Sequence, residues 1–200
     1  MTSQEASNHT AMSVIVDFDL IADQMRSRLI QLEDRASSQT RDLQTVASLS
    51  QQIATNLNLN DLLHSVVELT KQQFGLYHVH IYLLDDRSEN LVMAAGAGDA
   101  GRQMLARRHA IALNHTTSIV AQAAREHRAV RVDDLTLSPM FLPNPVLPET
   151  RSELAIPMIV GDELLGVLDV QMNKTAYFDD NSVQVQSTLA AQIAIAVKNA

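Results

Sequence analysis

The chain has 200 residues, 46% of them hydrophobic, and a formal net charge of −8 at pH 7. That length suits one domain with an appendage, and that apolar fraction supplies a sizeable core. The acidic balance opposes unassisted binding to nucleic-acid phosphates or to anionic membrane, and the absence of cysteine removes disulfides, thiolate metal ligands and cysteine nucleophiles.

Residues 1–14 are mostly small and polar and lack a basic stretch followed by an apolar core, so they read as a disordered tail rather than a secretory signal. No apolar run approaches the ~20 residues of a membrane span. With no cysteine, the chain fits a reducing cytosol, so a cytoplasmic location is expected. Residues 15–57 form a second region. Ile15, Phe18, Met25, Leu29, Leu32, Leu43, Val46, Ile53 and Leu57 fall on one seam in an unbroken heptad phase, with no Gly or Pro in the stretch. At about 1.5 Å per residue this predicts a helix on the order of 60 Å long. A seam of that length fits a parallel coiled coil between two copies of the chain, with Arg28 of one facing Glu33 of the other. Polar Gln39 and Ser50 interrupt and weaken it. A helix folded back on its own domain is the alternative.

Residues 58–200 carry the globular pattern. Asn58 or Asn60 caps a helix over Asp61–Phe74, and Gly75 ends it. VHIYLL (79–84) and LVMAA (91–95) pair as a hairpin. Gly96–Gly101 reads as a glycine-rich link and 102–109 as charged surface. A short strand follows at Ala110–Leu113. A helix capped by Thr116, Thr117 or Ser118 runs through His127, a solvated helix end. Residues 129–134 form a strand. Residues 136–150 contain four prolines and no periodicity, which marks a long loop. Leu154–Val160 and Leu164–Val170 are nearly continuous apolar runs joined at Gly161-Asp162. That pattern predicts a tight hairpin at the centre of a sheet covered on both faces, with Glu153, Asp169 and Gln171 as polar interruptions at its ends. A last helix opens at Asp180 or Asn181. Its pattern still runs at Ala200, as expected of a helix continuing into an output domain.

RSELAIPMIVGDELLGVLDVQ (151–171) resembles the central hairpin of GAF domains, the small-ligand sensor modules of bacterial signalling proteins. FGLYHVHIYLLDDRSENLVMAAGAG upstream is similar to the family's first strand pair, and FDDNSVQVQSTLAAQIAIAVKNA downstream to its closing helix. The resemblance covers roughly residues 55–200. Phe18–Leu43 loosely resembles the end of a HAMP module running into a signalling helix. Together these imply an α/β (α+β) fold with a central antiparallel sheet of about six strands, flanking helices and a long N-terminal coiled-coil helix. They also imply a sensory or transmitter role in a protein such as a sensor histidine kinase, with the N- and C-terminal helices packed together as a homodimer interface opposite the ligand. The parent protein could be membrane-anchored without this segment touching the membrane. A thioether-linked bilin and thiol-based methionine sulfoxide reduction both need a Cys that is absent. Asn173, Lys174 and Phe178 match a motif of some cyclic-nucleotide-binding members, but Ser182 and Val183 stand where its acidic pair should fall, which speaks against cyclic nucleotide.

The long proline-rich loop is the expected lid of a ligand site. Phe141, Leu142, Asn144 and Val146 would close it, His80 and Tyr82 would project from one face of the first strand, and Arg151 and Glu153 would stand at the start of the hairpin. Arg151 offers a cationic fork for a carboxylate or phosphate, unless Glu153 neutralises it, in which case the ligand would be uncharged. His78 and His80 share a face and could grip an ion, but no third ligand is evident, so neither metal nor haem is expected. No Walker loop, HExxH or GxSxG motif occurs. The aspartate pairs at 85–86, 133–134 and 179–180 read as turns and caps rather than catalytic carboxylates. The expected function is a non-catalytic sensor that binds a small molecule. The alternative is a dimerising transmitter with no ligand.

Overall fold

A computed structural model describes residues 23–48, 58–138 and 144–200. The chain divides into two compact units, Met1–Asp42 and Leu43–Ala200. Residues 23–48 are helical (α1), and Met25, Leu29, Leu32 and Leu43 of the predicted seam are exposed. The seam positions Ile15, Phe18, Ile53 and Leu57 lie outside the described residues.

The remaining elements are α2 (Leu59–Gln73), β1 (His78–Leu84), β2 (Asn90–Gly96), α3 (Gly98–Ala106), β3 (Ala110–Ala112), α4 (Ile119–Glu126), β4 (Val130–Val132), β5 (Ser152–Val160), β6 (Glu163–Met172) and α5 (Asp180–Asn199). The strands form one antiparallel sheet of six in the order β3-β2-β1-β6-β5-β4. The expected α/β architecture with a central antiparallel sheet is therefore present, and the β5–β6 hairpin sits near its middle.

Local chemistry sets the element ends. The Asn58 side chain accepts from the backbone N–H groups of Asn60 and Asp61, and Ser118 and Asp179 do the same for α4 and α5. α5 opens at Asp180, as expected, with Asp179 as its cap. Residues 98–106 correct the sequence reading. Rather than a glycine-rich link they form α3, in which Arg102 and Gln103 are exposed as the surface reading expected, and whose N-terminus is fixed by the Glu68 carboxylate accepting from Gly98 N–H at 2.7 Å. That partner is remote in sequence, so no local signal announced the helix.

Period-two alternation sorts the central strands into two layers. Val79 and Ile81 of β1, Leu154, Ile156 and Met158 of β5, and Leu168 and Val170 of β6 pack with Leu63 and Val67 of α2 and Leu189 and Ile193 of α5. The other face presents Tyr82, Ala155 and Val167 to a second cluster that includes Met104, Ile111, Ile119, Val120 and Leu147. Covering both faces explains why the strands read as almost continuously apolar.

Two glycines hold the hairpin in place. Gly161 turns it at φ +65°, and a side chain there would meet nothing within 4 Å. Gly166 pairs with Leu83 in the ladder, and a Cβ on it would lie 2.0 Å from the Tyr82 carbonyl oxygen. Substitution therefore fails for different reasons at the two sites. Gly161→Val is expected to cost about 1–2 kcal/mol through backbone strain alone. Gly166→Ala should cost more, because β1 and β6 must separate to admit the methyl group. Urea unfolding of the two variants checks the order, and equal losses would contradict it.

Candidate functional site

Between the second face of the sheet and α3, α4 and the 144–150 segment lies a cavity of about 210 Å³. Its apolar wall includes Ile111, Ile119, Val120, Val146 and Leu147, and its polar side is built by the sheet. Tyr82 and His80 on β1, Asp169 and Gln171 on β6, and Glu153 on β5 all line it. Strand register brings them together: His80 is the cross-strand partner of Asp169, and Gln171 is the partner of both His78 and Glu153.

These polar groups are buried, so their pairing decides the chemistry. Asp169 is completely inaccessible. Its Oδ2 lies 3.2 Å from His80 Nδ1 and accepts from Gln171 Nε2 at 2.8 Å. Because the carboxylate oxygen only accepts, Nδ1 of His80 carries the hydrogen of that bond. The Thr150 hydroxyl stands 2.9 Å from Gln171 Oε1 and 3.1 Å from the Leu147 carbonyl, tying the end of the loop to the floor of the cavity. Among the described residues, Asp169 Oδ1 and His80 Nε2 have no hydrogen-bond partner.

Glu153 completes the floor. Burial pushes its carboxyl well above the usual carboxylate range, and the charge of the neighbouring Asp169 adds to the shift. Burial beside a second carboxyl favours the protonated form of Glu153. The same negative field, after burial, raises the Tyr82 hydroxyl further. His78, beside His80 with ring centroids 4.1 Å apart, is pushed down to about 2, chiefly by burial and then by His80 and Lys71. Its ring is therefore neutral under any ordinary condition. His109 is held below its usual value by burial and by His80.

Of the residues anticipated for the site, His80, Tyr82, Asn144, Val146 and Glu153 line this one cavity. Phe141 and Leu142 lie outside the described residues. Arg151 does not join them. Its guanidinium donates to the carbonyls of Thr150 at 3.0 Å and Pro148 at 3.3 Å, which holds the turn before β5. Neither sequence alternative for Arg151 describes this arrangement, since the group beside Glu153 is Asp169 rather than the guanidinium. Asn144 serves the loop itself: its side-chain oxygen accepts from Val146 N–H at 3.0 Å, an Asx turn. The sequence reading did not select Asp169, Gln171 or Thr150 for the site. The available signal was the period of β6, in which Val167, Asp169 and Gln171 share a face. Asn173, Lys174 and Phe178 do not line the cavity, and Phe178 packs in the opposite layer. Among the described residues no cluster of three or more His, Cys, Asp or Glu is placed to hold a metal ion. Nor is any helix among them long and apolar enough to cross a membrane.

The model of the GAF domain family matches residues 56–198, and the chain belongs to that family. Its members are generally regulatory or sensory modules. Comparison with curated proteins finds no match. Among solved structures, the chain is similar to the GAF domain of a phosphoenolpyruvate-protein phosphotransferase from Coxiella burnetii, with 20% identity, 80% of this chain and 95% of the other covered, and a TM-score of 0.73. It is also similar to the free methionine-R-sulfoxide reductase of Neisseria meningitidis in complex with its substrate, at 22% identity, 78% and 88% coverage and a TM-score of 0.67. A third is the nlh2 GAF domain of A. aeolicus in an inactive state, at 15% identity, 80% and 97% coverage and a TM-score of 0.66. At these identities the likeness concerns the fold.

The raised carboxyl has a measurable consequence. Above the ordinary carboxylate pKa, the unfolded chain releases the Glu153 proton while the folded chain keeps it. Stability is thus lost as pH rises towards the folded value, by at most about 1.4 kcal/mol per pH unit. Glu153→Gln keeps a donor for Asp169 and cannot titrate. Its stability relative to the parent should therefore increase from about pH 5 to about pH 8. Thermal unfolding across that range is the check, and a pH-independent difference would show that Glu153 is ionised in the folded chain.

Proposed function

We propose that this GAF domain is a non-catalytic sensory module of a bacterial signal-transduction protein, such as a sensor histidine kinase, and that it binds a small molecule in the cavity over β1, β5 and β6. The observation that carries this reading is the cavity's lining: an apolar wall facing a small set of buried, convergent polar groups. A side-chain-filled core would instead have left no such volume. His80, Tyr82, Glu153 and Asp169 contact the ligand from the sheet, and Asn144 and Val146 close over it.

The signal leaves through helices in a homodimer. The seam residues Met25, Leu29, Leu32 and Leu43 are 65%, 59%, 54% and 65% exposed, and a second copy of the chain would cover them. That exposed seam also favours the second reading, a dimerising transmitter with no ligand. Native mass spectrometry of the purified chain separates the two: a bound small molecule lost on denaturation supports the sensor. Repeated preparations without one, together with no melting shift from any metabolite pool tested, support the transmitter.

The dimer has its own test. Replacing Leu29 and Leu32 together by Glu in the 200-residue chain should shift the light-scattering mass from dimer to monomer, because both substitutions place charge on the exposed seam. An unchanged dimer would remove α1 from the interface.

A further inference from the structure

On the reading that the cavity binds a small molecule, its size and the hydrogen-bonding groups on its walls narrow the ligand class. Its volume of about 210 Å³ somewhat exceeds the roughly 150 Å³ in which an engineered apolar cavity holds benzene, so one ring with a short substituent fits. The walls carry both an acceptor and donors. Asp169 Oδ1 is a buried acceptor with no partner among the described residues, while Gln171 Nε2 donates to the other oxygen. The Tyr82 hydroxyl hydrogen meets no acceptor among the described residues, and burial beside Asp169 and Glu153 keeps that hydrogen in place. Tyr82 pairs with Val167 across the ladder, which sets it diagonal to Asp169 on one face of the sheet. Diagonal positions of this kind stand about 7–8 Å apart, within the span of a single bridging group. Ser118 lines the cavity from α4. Its oxygen accepts from Ala121 N–H at 3.2 Å, and its hydrogen is a second donor.

We propose that the cavity binds an uncharged, single-ring-sized molecule through a hydroxyl group, which donates to Asp169 Oδ1 and accepts from the Tyr82 hydroxyl while the ring packs on Ile111, Ile119 and Val120. Matching of donors to acceptors selects that group. A carboxylate only accepts, so it leaves Asp169 Oδ1 unmet and sets a negative charge beside two carboxyl groups. Arg107 does not rescue it, because that side chain is exposed at the cavity edge. An ammonium only donates, so it leaves the hydroxyl hydrogens of Tyr82 and Ser118 unmet. Enclosing its charge with Asp169 also gains little once both ions have shed their water. A ketone or ether offers no hydrogen to Asp169. A hydroxyl donates and accepts at one oxygen, and it brings no charge into the buried space.

The test uses the 200-residue chain and matched probes: α-methylbenzyl alcohol, acetophenone, α-methylbenzylamine and ethylbenzene, which share a skeleton and differ in the polar group, together with benzoate. NMR titration reads their dissociation constants, and melting shifts rank them independently. The alcohol is expected to bind about tenfold tighter than ethylbenzene or acetophenone, and tighter than the amine and benzoate. Tyr82→Phe removes one hydroxyl and should cut the alcohol's advantage over ethylbenzene by roughly threefold, with ethylbenzene binding unchanged. Asp169→Asn keeps an oxygen for Gln171 and places an amide NH2 where Oδ1 stood, so acetophenone should overtake the alcohol. If that variant does not fold, the Tyr82→Phe comparison decides. Preference of the parent for the amine, the ketone or benzoate would overturn the hydroxyl assignment while leaving a small-molecule site in place. Equal binding of the alcohol and ethylbenzene would overturn the polar contact, and an advantage untouched by Tyr82→Phe would overturn the bridge. A chain that binds none of the five probes would contradict the pocket reading along with the inference.

Discussion

Asp169 lies in a central strand of the sheet with no access to solvent, and its carboxylate cannot be left alone there. Burial of an unpaired carboxylate is prohibitive, so its neighbours are dictated. His80 is supplied by the cross-strand register of β1, Gln171 by the next position on the same face of β6, and the neighbouring Glu153 carboxyl, shifted towards its neutral form by burial, by the adjacent strand. Thr150 joins through Gln171 and fixes the start of β5. Four separate segments are thereby committed to one geometry, and the cavity is the space they face.

The same strands that present this cluster also pack the helix layer. Asp169 stands between Leu168 and Val170, whose side chains point the other way into the core with α2 and α5. Glu153 precedes Leu154, and His80 lies between Val79 and Ile81 in the same manner. Because packed interiors deform little, a change in the polar floor is passed across one strand's thickness into the contacts of α5. In the sensor reading this is the physical link between ligand and output. The strand between the two layers is the element that both the cavity and the helix layer contact.

Much of the fold was legible because its determinants are local. The apolar runs on either side of Gly161-Asp162 announced a hairpin in the interior of a sheet, and the asparagines at 58 and 60 and the hydroxyl residues at 116–118 announced their helices through caps that need no distant partner, the structure selecting Asn58 and Ser118. Helix α3 escaped because its N-terminus depends on Glu68, thirty residues earlier. The site was partly legible for a related reason. His80 and Tyr82 could be placed on one face by their spacing, and Glu153 stood out beside the hairpin. Asp169 and Gln171 were read as polar ends of an apolar run, although their spacing from Val167 already put them on a single face. Arg151 was the converse case. Its charge suggested anion recognition, but whether a guanidinium reaches a pocket or turns back onto carbonyls is decided by loop geometry that residue type does not encode.

The central claim is that Glu153 holds a proton against Asp169 at neutral pH. Infrared spectroscopy of the folded chain tests it most directly, because a protonated carboxylic acid has a C=O stretch well separated from those of carboxylates. The account predicts such a band at neutral pH, present in the parent and missing from Glu153→Gln. A spectrum with no protonated-acid band at neutral pH, or one that the substitution leaves unchanged, would contradict it.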